Sequence, residues 1–399
     1  MIPDGWSITN LAEILDGSIK NGYSPNAANV ETGYWVLGLG ALSDNGININ
    51  QVKPVSPTDK VLQSQLYSGD FLVSRSNTPD KVGRSILYKG EISNCSYPDL
   101  MMRFRINESK AKPEFVESNL KSYSVRNYFK KCAAGSSRTM VKINKSIIEN
   151  TPLMLPPLPE QIKIAKILAT WDRAIELLDK LIENCRTEKK ALMQLLLTGK
   201  KRFPGFNEEW KNVTLSSIAN ITMGSSPKSE AYNNNNEGLP LLQGNADIKN
   251  RESAPRIFTS QITKTCEIDD VLLSVRAPVG EVAISKHKAC IGRGIASISA
   301  KSNSDNKFIY QVLLHKEPYW SKLSQGSTFD CVNSSDLKNL HIFSPSDKGE
   351  REKVSNILEK QDLIIKNRIA QREQLNIQKK ALMQQLLTGK LRVKLDTNE

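Results

Sequence analysis

The grouping that comes nearest to a catalytic constellation in this sequence is Pro98-Asp99 followed by Glu108 and Lys110. Two carboxylates can hold a Mg²⁺ ion while a lysine positions water, which is nuclease chemistry. The gap is short and the pattern degenerate, so a surface strand and turn is the competing reading. His287 and Cys290 form the only close His/Cys pair, and six scattered cysteines without a CxxC read as reduced, mostly buried thiols. A GxxxxGK phosphate loop, HExxH, GxSxG and an Asn-Pro-Pro-aromatic methylation motif are all missing. The residues thus point away from chemistry on covalent bonds and towards charge.

The formal net charge is +13, which suits a polyanionic partner, nucleic acid first. Segments 160–202 and 350–394 hold 21 Lys+Arg against 11 Asp+Glu, and the remainder only 34 against 31. Binding must therefore rest on local clusters. Segment 103–145 has 11 basic against 3 acidic residues, with Phe104, Phe115, Tyr123, Tyr128 and Phe129 interleaved. There "MMRFR" alternates like a strand and puts Arg103 and Arg105 on one face. Arg126, Lys130, Arg138 and Lys142 follow, and Arg75 and Arg84 lie just upstream. Segment 249–293 is less basic, 8 against 5, and offers Arg251, Arg256, Arg276 and Arg293. Ser327 and Thr328 stand beside a glycine, as suits backbone phosphate contacts. Arginine and lysine neutralise phosphates, and arginine can fork onto guanine. A solvated basic face is the alternative for any one of them.

These candidates need elements to position them, and the clearest elements are a repeat. "KKALMQLLLTGK" (Lys189–Lys200) returns as "KKALMQQLLTGK" (Lys379–Lys390), at an offset of 190 residues and with Leu195 against Gln385 as the one difference. At the same offset Glu160 meets Glu350, Asp172 meets Asp362, and Arg202 meets Arg392. Neither copy contains proline or glycine before its terminal Thr-Gly, so each reads as a helix of about forty residues ending at a glycine. In the first copy Ile164, Leu168, Trp171, Ile175, Leu178, Ile182, Cys185, Leu192 and Leu196 alternate four and three apart, with Lys189 filling the gap. The second copy matches at Val354, Leu358, Ile365, Leu375, Leu382 and Leu386, with Gln361, Arg368 and Arg372 at polar seam positions. Such a seam calls for a partner helix, and the two copies supply each other.

The segments outside the helices resemble each other weakly and in order. Trp6 matches Trp210, "GYSP" (Gly22–Pro25) matches "GSSP" (Gly224–Pro227), "GDFLVSR" (Gly69–Arg75) matches "DDVLLSVR" (Asp269–Arg276), and Val82-Gly83 matches Val279-Gly280. The expected organisation is a globular domain over 1–155, a long helix over 156–202, a second globular domain over 203–345 and a second long helix over 346–399. The fold class is α+β: two similar globular α/β domains separated by two long antiparallel helices in a coiled-coil spacer with pseudo-two-fold symmetry. A helix of about 39 residues spans roughly 58 Å. Two different domains on such a spacer suit two different DNA half-sites, about 34 Å per helical turn apart. No apolar run is long enough for a membrane span, and the N-terminus lacks a secretory signal.

The duplicated "KKALMQ(L/Q)LLTGK(K/L)R", the "LPPLPEQIKIAKIL" start of the first helix (Leu155–Leu168) and "GDFLVSRSNTPDKVGR" (Gly69–Arg84) carry a resemblance over the whole chain. The chain resembles a type I restriction–modification specificity subunit. The resemblance implies a subunit without catalysis or cofactor of its own, each recognition domain reading one half of a split, asymmetric site in double-stranded DNA. It implies two modification (methyltransferase) subunits docked on the helices, using S-adenosylmethionine to methylate adenine N6. Restriction subunits would add ATP- and Mg²⁺-dependent translocation and cleavage, all in the cytoplasm of a bacterium or archaeon. The second helix begins "FSPSDKGEREKVSNIL" (Phe343–Leu358), without the Pro-Pro-Leu-Pro-Glu-Gln of the first, so equivalent docking on both helices is not implied. The nuclease at Asp99, Glu108 and Lys110, and a coiled-coil scaffold that never meets DNA, are the alternatives.

Overall fold

A computed structural model describes residues 2–43, 46–137, 140–302, 305–325 and 331–395. The chain divides into two compact units, Met1–Leu178 with Gln371–Glu399, and Asp179–Ala370. Both long helices form, over Leu158–Leu196 and Lys348–Leu387. The unit boundaries fall inside them, so each unit owns half of each helix.

In the first unit the strand Phe71–Ser74 lies between Met101–Phe104 and Ser85–Leu87 in an antiparallel sheet. Side chains alternate across a strand, and here both faces are buried. Phe71 and Val73 join a core with Val116, Leu120, Val125 and Phe129, from the helices Pro113–Lys121 and Tyr123–Cys132. Leu72 turns the other way, onto Leu37, Tyr88, Tyr97 and Met101. This second face is closed by a small sheet in which Cys95–Ser96 runs parallel to Trp35–Leu37.

The second unit is built alike. Val271–Ser274 lies between Ile295–Ala300 and Val282–Ile284. Val271 and Leu273 pack on Phe308, Ile309 and Leu313 of the helix Asn306–Gln325, while Leu272 packs on Leu242, Ala289 and Ile291. Ala289–Ile291 again runs parallel to a partner, Leu239–Leu242.

The matched hydrogen bonds correct one equivalence read from the sequence. Tyr88 N–H donates to the Asp70 carbonyl and Ser285 N–H to that of Asp270; Gly83 N–H donates to Ser74 and Gly280 N–H to Ser274. These bonds make Arg75 the counterpart of Val275, and Ser76 that of Arg276. The two arginines ending "GDFLVSR" and "DDVLLSVR" are one position out of register with each other. Gly83 and Gly280 do correspond. Both have positive φ, 67° and 97°. A Cβ would stand 2.5 Å from Phe129 in one and 2.6 Å from Trp320 in the other, so both loops press bare backbone onto an aromatic ring.

Candidate nucleic-acid interface and the helix joints

Each long helix begins at a buried glutamate, where negative charge suits the helix N-terminus. In the first unit Glu160 accepts from the Trp6 indole N–H (3.3 Å) and from Arg392 Nε (3.0 Å). In the second, Glu350 accepts from the Trp210 indole N–H (3.1 Å) and from Arg202 Nε and Nη2 (3.0 and 2.8 Å). Only 6% and 1% of the two glutamate side chains is exposed. The hydrogen bond to Glu350 raises the pKa of Arg202 above the ordinary arginine value, so the guanidinium stays charged. Each joint therefore sets the glutamate of one copy of the repeat against the arginine of the other.

A second matched pair lies farther along. Lys189 Nζ reaches Asp362 Oδ1 at 2.6 Å in the second unit, and Lys379 reaches Asp172 in the first. Lys189, which fills the gap in the apolar seam, is 9% exposed and buried. Asp362 also accepts from Gln311 Nε2 (2.8 Å). Burial, reinforced by Asp362, pushes the Tyr310 phenol upward, so it stays protonated. Since the helix starting at Glu160 meets the end of the other at Arg392, and Asp172 meets Lys379, the halves within the first unit run antiparallel. The second unit repeats this with Glu350–Arg202 and Asp362–Lys189.

The seam side chains turn inward. Ile164, Leu168, Ile175, Ile182, Leu196, Val354, Leu358 and Leu386 are buried. Trp171, Leu178, Leu192, Ile365, Leu375 and Leu382 are half-buried, as are Gln361, Arg368 and Arg372. Ile164, Leu168 and Leu386 share a cluster with Trp6 and Phe115 in the first unit. Leu196, Val354 and Leu358 join the main core of the second. Both helices end at glycines of positive φ, Gly199 and Gly389. There Lys201 N–H closes on the Leu195 carbonyl (3.1 Å) and Leu391 N–H on that of Gln385 (3.2 Å). The single difference in the repeated stretch thus falls where the backbone carbonyl works and the side chain is exposed.

The basic candidates separate into two kinds. Arg103 donates to the Gln65 carbonyl (2.6 Å) and lies 3.4 Å from Asp70, and Arg105 Nε is 2.7 Å from the same buried aspartate. Arg126 donates to the carbonyls of Val82 and Asp80 (both 2.9 Å), Lys130 pairs with Asp80 (3.1 Å), and Arg84 donates to the Leu42 carbonyl (3.3 Å). Arg256 pairs with Asp247 (2.8 Å). Arg251 makes a two-pronged pair with Glu317, with Nη2 to Oε2 at 2.9 Å. This pair holds its pKa above the ordinary value although burial, the largest single influence, pulls it down. These side chains have partners within the chain, although Lys130 and Arg256 remain exposed. Arg75 is half-buried, while Lys142, Arg276 and Arg293 are exposed. Arg138, Ser327 and Thr328 lie outside the described residues.

Two members of the nuclease grouping are engaged with other partners. The Asp99 carboxylate takes the Ser24 hydroxyl, and Lys110 Nζ donates to the Glu13 carbonyl (2.9 Å). Among the described residues no group of three or more His, Cys, Asp or Glu could hold a metal ion, and no helix is long and apolar enough to cross a membrane.

Residues 3–185 and 207–376 match the family model of the type I restriction modification DNA specificity domain. The chain is 32% identical to the MjaX type I restriction enzyme specificity subunit of Methanocaldococcus jannaschii, over 98% of this chain and 95% of that one. It is 26% identical to the MjaVIII specificity subunit of the same organism, over 78% and 74% of the two chains. Among solved structures, a chain from work on complex assembly and conformational transition of the type I R-M system covers 98% of this chain and all of its own, with TM-score 0.61 and 23% identity. The S subunit of a type I system from M. genitalium aligns over 96% of both chains, with TM-score 0.59 and 16% identity. These two likenesses bear on the fold.

Proposed function

Because the chain belongs to the type I restriction–modification DNA specificity family, we propose that each of its two units reads one half of a bipartite, asymmetric site in double-stranded DNA. The paired helices set the spacing of the halves and dock two modification subunits. The observation that carries this reading is the contrast within the chain. The Trp–Glu–Arg joint is built twice from the same residue types, whereas the surface loops of the globular parts differ. The need to hold both helices alike explains the first, and two different DNA sequences explain the second. Docking has apolar surface available to it, since Leu177, Leu181, Leu195, Leu363, Ile364, Ile369 and Ile377 are exposed on the helices. On this reading the subunit is non-catalytic and holds no cofactor. S-adenosylmethionine, ATP and Mg²⁺ enter through modification and restriction subunits, in the cytoplasm of a bacterium or archaeon.

Of the basic candidates, Arg75, Lys142, Arg276 and Arg293 have no side-chain partner among the described residues and are the first candidates for DNA contact. Mapping N6-methyladenine across the source genome, with and without this gene, tests the reading. The expected result is one split motif that disappears with the gene. The purified chain alone is expected to transfer no methyl group; methylation by it, or a methylome unchanged by the deletion, contradicts the reading.

A further inference from the structure

One loop is held the same way in both units and carries opposite charge. In the first unit Gly22 N–H donates to the Met101 carbonyl (3.3 Å), Tyr23 N–H to Tyr97 (3.0 Å) and Met101 N–H to Pro98 (3.0 Å). In the second, Gly224 N–H donates to Ile295 (2.9 Å), Ser225 N–H to Ile291 (2.9 Å) and Ile295 N–H to Gly292 (3.0 Å). The side-chain bond repeats as well. Asp99 N–H donates to Ser24 Oγ at 3.3 Å, and Arg293 N–H to Ser226 Oγ at 3.0 Å. One residue on, Leu100 accepts from Arg75 N–H (2.8 Å) and Gly294 from Val275 N–H (2.9 Å). These five pairs of bonds make Asp99 and Arg293 structural counterparts.

The contact is too close for any side chain at the glycines. A Cβ on Gly22 would lie 2.2 Å from the Tyr97 carbonyl oxygen, and one on Gly224 would lie 2.2 Å from that of Gly292. The loop backbone is thereby fixed, and what it displays is decided by one exposed residue. In the first unit that residue is an acid, in the second a base. A cation lies close to the first loop in space and to the second in sequence. Lys60 stands over the Tyr23 ring at 5.4 Å, beside Ser24, and Lys228 follows Pro227 directly. Flanking cations suit phosphates and give register without sequence information. A carboxylate among phosphates is repelled unless a base gives it a proton to accept. In the major groove only the cytosine N4 and adenine N6 amino groups do so, whereas arginine forks onto guanine O6 and N7.

We propose that Asp99 and Arg293 are the same base-reading position in the two units. Asp99 selects a base that bears an exocyclic amino group, and Arg293 selects guanine. This rests on the DNA-reading function proposed above and names residues that determine the outcome.

The test uses the full chain assembled with its modification subunits, methylating a genomic library. The wild-type complex must first give a split motif; if it gives none, the function proposed above fails and not this assignment alone. With that motif in hand, Asp99→Arg is expected to change the preferred base at one position of one half to guanine, lowering methylation of the original site about tenfold to a hundredfold. Arg293→Ala is expected to lose guanine preference at one position of the other half. Should Asp99→Arg fail to unfold cooperatively like the parent, Asp99→Asn is read in its place. It keeps size and shape, and is expected to favour adenine at the same position. Motifs unchanged at every position in the folded variants overturn the proposal. So does an even loss over all sequences with a salt slope lower by about one, the mark of a phosphate contact.

Discussion

The two units share their joints and differ in their display. Glu160 with Trp6 and Arg392, and Glu350 with Trp210 and Arg202, are one arrangement written twice. The loop at Asp99 and the loop at Arg293 have one backbone arrangement and opposite side-chain charge. The difference teaches where selection has had latitude. A joint fails if either member changes, because a buried charge loses its partner. A displayed side chain can change sign while the backbone bonds that hold its loop remain; at Asp99 the change gives up only the bond from the Ser24 hydroxyl.

Breaking the joints should give the largest effect. Glu350→Ala leaves the Trp210 indole without its acceptor and the partly exposed Arg202 without its partner, and should cost about 1–3 kcal/mol of unfolding free energy. Glu160→Ala should cost a similar amount in urea denaturation. A loss confined to one of the two would show that the joints only look alike.

Next come the close-packed glycines. Gly83→Ala and Gly280→Ala each place a methyl against an aromatic ring at a positive φ, and each should destabilise by about 1–3 kcal/mol. Thermal unfolding checks this, and an unchanged Tm in either variant would contradict the matched packing.

How much of this was legible in the sequence follows from the range of the interactions. The long helices were, because nearly forty residues without proline or glycine and a four-three apolar spacing are local patterns. Lys189 stood out as a gap in that pattern, but its role needed Asp362, which is distant in the chain and was visible only as the match of Asp172. The fate of Arg103 and Arg105 was hidden for the same reason. Strand alternation put them on one face, and only the fold showed that Asp70 is buried beneath that face. Many strands here are two to four residues long, too short for periodicity to mark. The equivalence of Asp99 with Arg293 was concealed because "YPDL" and "IGRG" share no residue type in matching places, and only backbone hydrogen bonds reveal it.

The smallest effect should come from the lysine–aspartate pairs, where partial exposure weakens the attraction. Asp172 is 62% exposed and Asp362 38%. Lys379→Met should change stability by no more than about 1 kcal/mol. Lys189→Met, at the more buried end, should change it more than Lys379→Met does. The reverse order, measured by urea denaturation, would contradict the ranking.

The central claim is that each unit reads its own half of the site. The direct measurement is the methylome of the assembled complex after residues 203–345 are replaced by the corresponding segment of another family member. The account predicts that one half of the motif changes while the other half and the spacer between them stay as they were. A motif in which both halves change together, or in which neither does, would contradict it.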